Sequence, residues 1–123
     1  MKFLMIAFFG LVGIFSRYGI NIFFRETAGG LPVATFLINL LGSFLIGVVY
    51  VLGIERAAIS DDLRMALMVG LLGGFTTFSA YSLETAVLIK NNQNALALSY
   101  VLASTVCGVV LTFIGIFLTR RLI

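Results

Sequence analysis

The sequence predicts an all-α integral membrane protein with four transmembrane helices and a break in the third. Three observations carry that fold class. Of 123 residues, 61% are hydrophobic and only 11% are charged, against about 25% charged in an ordinary soluble domain. So few charges cannot clothe a globule this small, and so apolar a chain is the opposite of a disordered one. Second, the charges divide the chain into long neutral runs: 14 residues between Lys2 and Arg17 with apolar sequence on to Phe24, then 28 from Thr27 to Ile54, 19 from Met65 to Leu83 and 29 from Asn91 to Thr119. A hydrocarbon core of about 30 Å takes about 20 apolar helical residues to cross. Third, the connections are short, so residues 1–123 make one domain with its chemistry inside the bilayer or at its edge.

The first helix is expected near 3–24. Its start, Met1-Lys2-Phe3, looks like a secretory signal, but no small-x-small cleavage pattern follows and apolar sequence continues past Arg17, so it is read as a retained helix. Gly10, Gly13 and Arg17 share one face, with Asn21 a turn further. Arg17 lies roughly 10 Å inside the helix end; it either snorkels to the interface or serves a function. The second helix, near 33–54, carries Thr35, Asn39, Gly42/Ser43, Gly47 and Tyr50 in one stripe. Asn39 stands alone among Phe36, Leu37, Ile38, Leu40 and Leu41. An unpartnered amide in hydrocarbon costs several kcal/mol, so Asn39 must meet another helix or water.

The third helix, near 64–88, contains the run Gly70-Leu71-Leu72-Gly73-Gly74-Phe75-Thr76-Thr77-Phe78-Ser79-Ala80-Tyr81-Ser82-Leu83-Glu84-Thr85. Glycine costs about 1 kcal/mol relative to alanine in a helix, and β-branched threonines add to that. Helical continuity is weakest at Gly73–Thr77, either as a kink or as broken backbone whose carbonyls suit a hard cation such as Na⁺. Phe75, Phe78 and Tyr81 recur at i+3, the spacing of a stack along one edge. Glu84, near the helix end, is within reach of water. The fourth helix, near 95–119, carries Ser104, Gly108, Thr112, Gly115 and Thr119, which serve as packing glue with hydroxyls bonded back one turn, or as the wall of a polar track.

A net charge of +3 without a basic run gives no nucleic-acid reading, and the absence of histidine with a lone Cys107 leaves no disulfide framework or His/Cys metal cluster. No nucleophile–base pair argues for an enzyme. Four crossings put both termini on one side, with Lys2, Arg56, Arg64, Arg120 and Arg121 against Arg25 and Lys90 on the other, which favours cytoplasmic termini. A bundle this small leaves little interior, so a pathway would be completed by a second copy. The first, second and fourth helices hold no internal carboxylate, whereas amide, hydroxyl and aromatic-edge donors abound. That wall suits a small anion rather than a cation.

Gly13-x-x-x-Arg17, Thr35-Phe36-Leu37-Ile38-Asn39-Leu40-Leu41-Gly42 and Gly70-Leu71-Leu72-Gly73-Gly74-Phe75-Thr76-Thr77-Phe78-Ser79-x-x-Ser82-x-Glu84-Thr85 resemble the Fluc, or CrcB, fluoride channels along the whole chain. The resemblance implies an antiparallel, dual-topology homodimer in the cell inner membrane, with two pores that passively export toxic F⁻. It implies that Asn39, Phe78, Tyr81, Ser82 and Ser104 line the pore, with Tyr81 standing where the family has a second phenylalanine. Arg17 resembles the arginine that draws anions into the vestibule, and Glu84 an acid near the pore end. Gly73 and Thr76 would lend carbonyls to a structural Na⁺ at the dimer twofold. Two other classes compete: a small multidrug exporter, which needs a carboxylate that residues 3–24 do not provide, and a non-transporting scaffold, for which Asn39 and a weak third helix bring cost without gain.

Overall fold

The computed structural model describes residues 1–25 and 31–123; most of the first expected connection, Arg25 to Pro32, falls outside them. Among the described residues four helices are long and apolar enough to cross a membrane: Lys2–Arg25, Val33–Glu55, Asp61–Lys90 and Asn94–Leu122. Large apolar side chains such as Phe3, Phe15, Phe113 and Phe117 point outward, as a bundle solvated by lipid requires.

Local chemistry sets the ends of these spans. Pro32, the only proline, precedes the second span, where a missing N–H costs nothing, and its carbonyl accepts from the Phe36 amide at 3.1 Å. Ser60 caps the third: its Oγ accepts from the Leu63 amide at 3.3 Å, and Asp61 and Asp62 complement the helix dipole in the first turn. The third span accordingly starts at Asp61 rather than near 64. Asn92, at φ 59°, makes the turn into the fourth span, a backbone state that asparagine tolerates better than most residues.

Two stretches leave the α ladder. Val51–Glu55, closing the second span, and Ala66–Leu72, early in the third, are π-helical. Further along the third span, the short α-helical turn Gly73–Phe75 is followed by two extended residues, Thr76 and Thr77, before the helix Phe78–Lys90. The i+3 relation between Phe75 and Phe78 is lost across them: Phe75 is buried at 6% exposure while Phe78 is 78% exposed. The expected three-ring stack is realised only from Phe78 onward.

The spans pack closely in pairs through glycine. A methyl group on Gly47 would sit 2.3 Å from the Thr112 carbonyl oxygen, and one on Gly115 2.3 Å from that of Phe44, which fixes the crossing of the second and fourth spans. Thr112 Oγ1 donates to the Ser43 carbonyl at 2.9 Å across that crossing, while Thr119 Oγ1 bonds back to Gly115 at 2.7 Å. Between the first and third spans, a methyl on Gly13 would lie 2.2 Å from the Leu71 carbonyl oxygen and one on Gly74 2.7 Å from that of Gly10. Lipid supplies no hydrophobic drive between helices, so close backbone approach must supply the attraction.

Ion pairs bind the spans at one end. Lys2 Nζ lies 2.8 Å from Asp61 and 3.6 Å from Asp62, Arg64 pairs with Asp61, and Arg120 Nε donates to Glu55 at 2.8 Å. Exposed pairs are individually worth about 1 kcal/mol or less. Their placement nevertheless brings both termini to the connection between the second and third spans.

Candidate functional site

Extended backbone at Thr76 and Thr77 frees peptide groups that a continuous helix would pair internally, and in a membrane each must find another partner. Thr76 makes the last ladder bond, its amide reaching the Leu72 carbonyl at 2.9 Å and its hydroxyl the same oxygen at 2.8 Å. The Thr77 amide donates instead to Asn39 Oδ1 at 2.9 Å, and Asn39 Nδ2 donates to the Thr77 carbonyl at 3.1 Å. One side chain of the second span thus serves both polar groups of one residue of the third. Because a peptide N–H only donates and a carbonyl only accepts, this pairing fixes which end of the Asn39 amide is which. One Nδ2 hydrogen is spent on Thr77, and the second has no acceptor among the described residues.

The remaining groups are closed from two directions. Arg17 Nη1, from the first span, donates to the Thr76 carbonyl at 3.1 Å. Thr77 Oγ1 caps the following helix by accepting from the Ala80 amide at 3.2 Å, and lies 3.3 Å from Ser79 Oγ. Arg17 is half-buried, and its own carbonyl accepts from Asn21 Nδ2 at 2.9 Å.

A cleft of about 340 Å³ opens beside the extended pair, and Asn39, Gly42, Ser43, Gly73, Thr76, Thr77 and Phe78 are among its lining residues. Of the residues singled out from the sequence, Asn39, Gly73, Thr76 and Phe78 meet there. The Gly73 carbonyl is of particular interest. Its helical donor would be the Thr77 amide, which Asn39 has taken. The Thr76 carbonyl keeps a second lone pair beyond the bond from Arg17. Gly73 and Thr76 both line this cleft, and main-chain oxygens are the ligand type to consider for a hard cation there, since the described residues contain no cluster of three His, Cys, Asp or Glu.

Aromatic rings lead away from this cleft. Phe78 and Tyr81 have centroids 5.5 Å apart, and Tyr81 and Tyr100 5.3 Å. The Tyr100 hydroxyl donates to Glu84 Oε2 at 2.8 Å, and the Thr35 hydroxyl donates to Oε1 at 2.6 Å. Glu84 is half-buried and borders a second cavity of about 280 Å³ with Asn21, Arg25 and Pro32. It is thus held by two buried hydroxyls, Thr35 at 1% and Tyr100 at 6% exposure. Tyr100 was not singled out from the sequence, although it stands four residues before Ser104 on the same helix face. Ser104 Oγ is buried and makes no hydrogen bond among the described residues, whereas Ser82 is exposed.

The family model described as CrcB-like protein, Camphor Resistance (CrcB), matches residues 4–116. A protein of Chlorobium phaeobacteroides named fluoride-specific ion channel FluC is 37% identical over 118 residues, which cover 96% of this chain and 92% of that one. A relative of the same name from Thermus thermophilus is 41% identical over 115 residues, covering 93% and 90%. A third, from Syntrophotalea carbinolica, is 37% identical over 123 residues, covering 99% and 100%.

Proposed function

The chain belongs to the CrcB family, and from that premise we propose that it is a fluoride-selective channel rather than an enzyme, a multi-pass membrane protein that lets F⁻ leave the cytoplasm passively across the cell inner membrane. The observation that carries this reading is the cleft beside Thr76 and Thr77, where uncharged proton-bearing groups line an open groove within a membrane-spanning bundle. Asn39 brings a second amide hydrogen and Phe78 an exposed ring edge. Fluoride holds its hydration shell tightly, and it enters a dry passage only where donors replace water in small steps. Neutral donors in series bind weakly enough to let the ion go, where a lysine or arginine at the narrowest point would trap it. Asn39, Phe78, Tyr81, Ser82 and Ser104 are the steps we assign, with Arg17 attracting anions at the vestibule and Glu84 near the pore end. The ring series Phe78–Tyr81–Tyr100 supports that order by linking the cleft to the Glu84 carboxylate.

One chain supplies only one wall of such a passage. The open cleft lined by the polar residues Asn39, Ser43, Thr76 and Thr77, which lipid cannot satisfy, supports a homodimer, which we assign as antiparallel and of dual topology with two pores. A structural Na⁺ at its twofold would be held by the carbonyls of Gly73 and Thr76 from each chain, supplying positive charge that ties the two backbones together.

The test is release of ions from liposomes containing the purified protein. An outward gradient is expected to discharge F⁻ and to leave Cl⁻ inside; retention of both ions refutes the channel reading.

A further inference from the structure

We propose that Arg17 is a positioning residue for the backbone at Thr76–Thr77, acting together with Asn39, and not solely a source of positive charge for incoming anions. The proposal rests on the channel reading for its functional consequence but on hydrogen bonding for its substance.

In an unbroken helix the Thr76 carbonyl would accept from the Ala80 amide. That amide is engaged by Thr77 Oγ1 at 3.2 Å, and the Arg17 guanidinium stands in for it at 3.1 Å. A carbonyl stripped of its donor and a guanidinium drawn inside a membrane are each costly alone, and here each satisfies the other. A residue acting only through its field has no need of this bond.

The sequence spacing supplies the reach. Gly13 lies one turn before Arg17 on the same face, and the Leu71 carbonyl oxygen and Phe75 amide stand 2.2 and 3.0 Å from where its Cβ would be. The first span therefore lies against the third just before Thr76, and the next side chain along that face meets the Thr76 carbonyl. Gly13 and Arg17 form one device: the glycine brings the backbones together and the arginine closes the gap beyond. Asn39 holds Thr77 from the other side at 2.9 and 3.1 Å. Two adjacent residues are thus kept extended by side chains of two different spans. With Thr77 so held, the Gly73 carbonyl loses its helical donor at a residue that lines the cleft. Arg17 thereby controls the shape of the main chain along which the ion passes.

The test compares the wild type with Arg17→Gln and Arg17→Lys by hydrogen exchange at residues 76–80 and by fluoride flux over a range of fluoride and salt concentrations. A positioning role predicts that Arg17→Gln speeds exchange of the Thr77 and Ala80 amides about tenfold or more. It also lowers limiting flux equally at low and high salt, with half-saturating fluoride little changed and Arg17→Lys intermediate. Unchanged exchange, with a higher half-saturating fluoride that salt abolishes and full rescue by lysine, overturns it in favour of a purely electrostatic role. Should Arg17→Gln fail to fold, magnetic dipolar coupling between ¹⁵N at Arg17 Nη and ¹³C at the Thr76 carbonyl in wild-type protein decides the matter; no coupling refutes the bond. A wild type that passes no fluoride defeats the channel reading while leaving the exchange result to stand or fall separately.

Discussion

The second and fourth spans touch through Gly47 and Gly115, and the first and third through Gly13 and Gly74, with nearly the same closeness of backbone. At the first of these crossings both spans stay helical, and threonine hydroxyls add bonds to helix carbonyls of their own span and of the other. Thr119 bonds back to Gly115 and Thr112 to Ser43 and Gly108. At the second crossing the third span contains two extended residues, and the polar side chains nearby, Arg17 and Asn39, bond across to another span's backbone. Small residues serve adhesion in one place. In the other they deliver functional groups to a segment that has left the helix.

The contrast is most sharply tested at Gly13. Gly13→Ala is expected to cost about 3 kcal/mol through overpacking against the Leu71 carbonyl, seen as a lower unfolding midpoint together with loss of flux. Gly19→Ala, where no atom lies within 4 Å, is expected to be stabilising by about 0.5–1 kcal/mol. Equal behaviour of the two variants would dissolve the distinction between crossing and free glycines.

Next in size is Asn39→Asp. The variant keeps an acceptor for the Thr77 amide, loses the donor to its carbonyl and brings a negative charge to the cleft. Like charges about 4 Å apart at an effective dielectric of about 20 repel by roughly 4 kcal/mol. Flux is expected to fall at least about 100-fold while chromatography still reports a folded assembly; flux at the wild-type level would remove Asn39 from the ion's path.

Exchanging Na⁺ for a bulky organic cation should act where two chains meet beside the extended pair and leave the second–fourth crossing untouched. Subunit exchange between differently labelled proteins is expected to accelerate about tenfold, and indifference to the cation would dismiss Gly73 and Thr76 as its ligands. The smallest effect belongs to Thr112→Val, which removes the bond to Ser43 at the adhesive crossing. A loss of about 0.6 kcal/mol in stability with unaltered flux is expected. A large flux defect there would mean that the second and fourth spans also shape the passage.

Much of this architecture was legible before any coordinates. Neutral runs must become membrane spans, and Asn39 in an apolar helix had to seek a partner. A weak helix near Gly73–Thr77 was a natural place for unpaired backbone groups. What composition hid was which residues would leave the helix. Gly73 and Gly74 remain helical, and extension falls on Thr76 and Thr77, whose β-branched side chains favour it. The π-helical turns at Val51–Glu55 and Ala66–Leu72 shift hydrogen-bond register without any mark in residue type. Glu84 read as a group near water because its two hydroxyl partners come from residues 35 and 100, a juxtaposition that only packing creates.

The ion pairs from Lys2 to Asp61 and from Arg120 to Glu55 tether both chain ends to a single short hairpin loop. The two halves of a split fluorescent reporter, one fused at each terminus, would therefore reassemble within one molecule regardless of which face of the membrane that molecule's ends occupy.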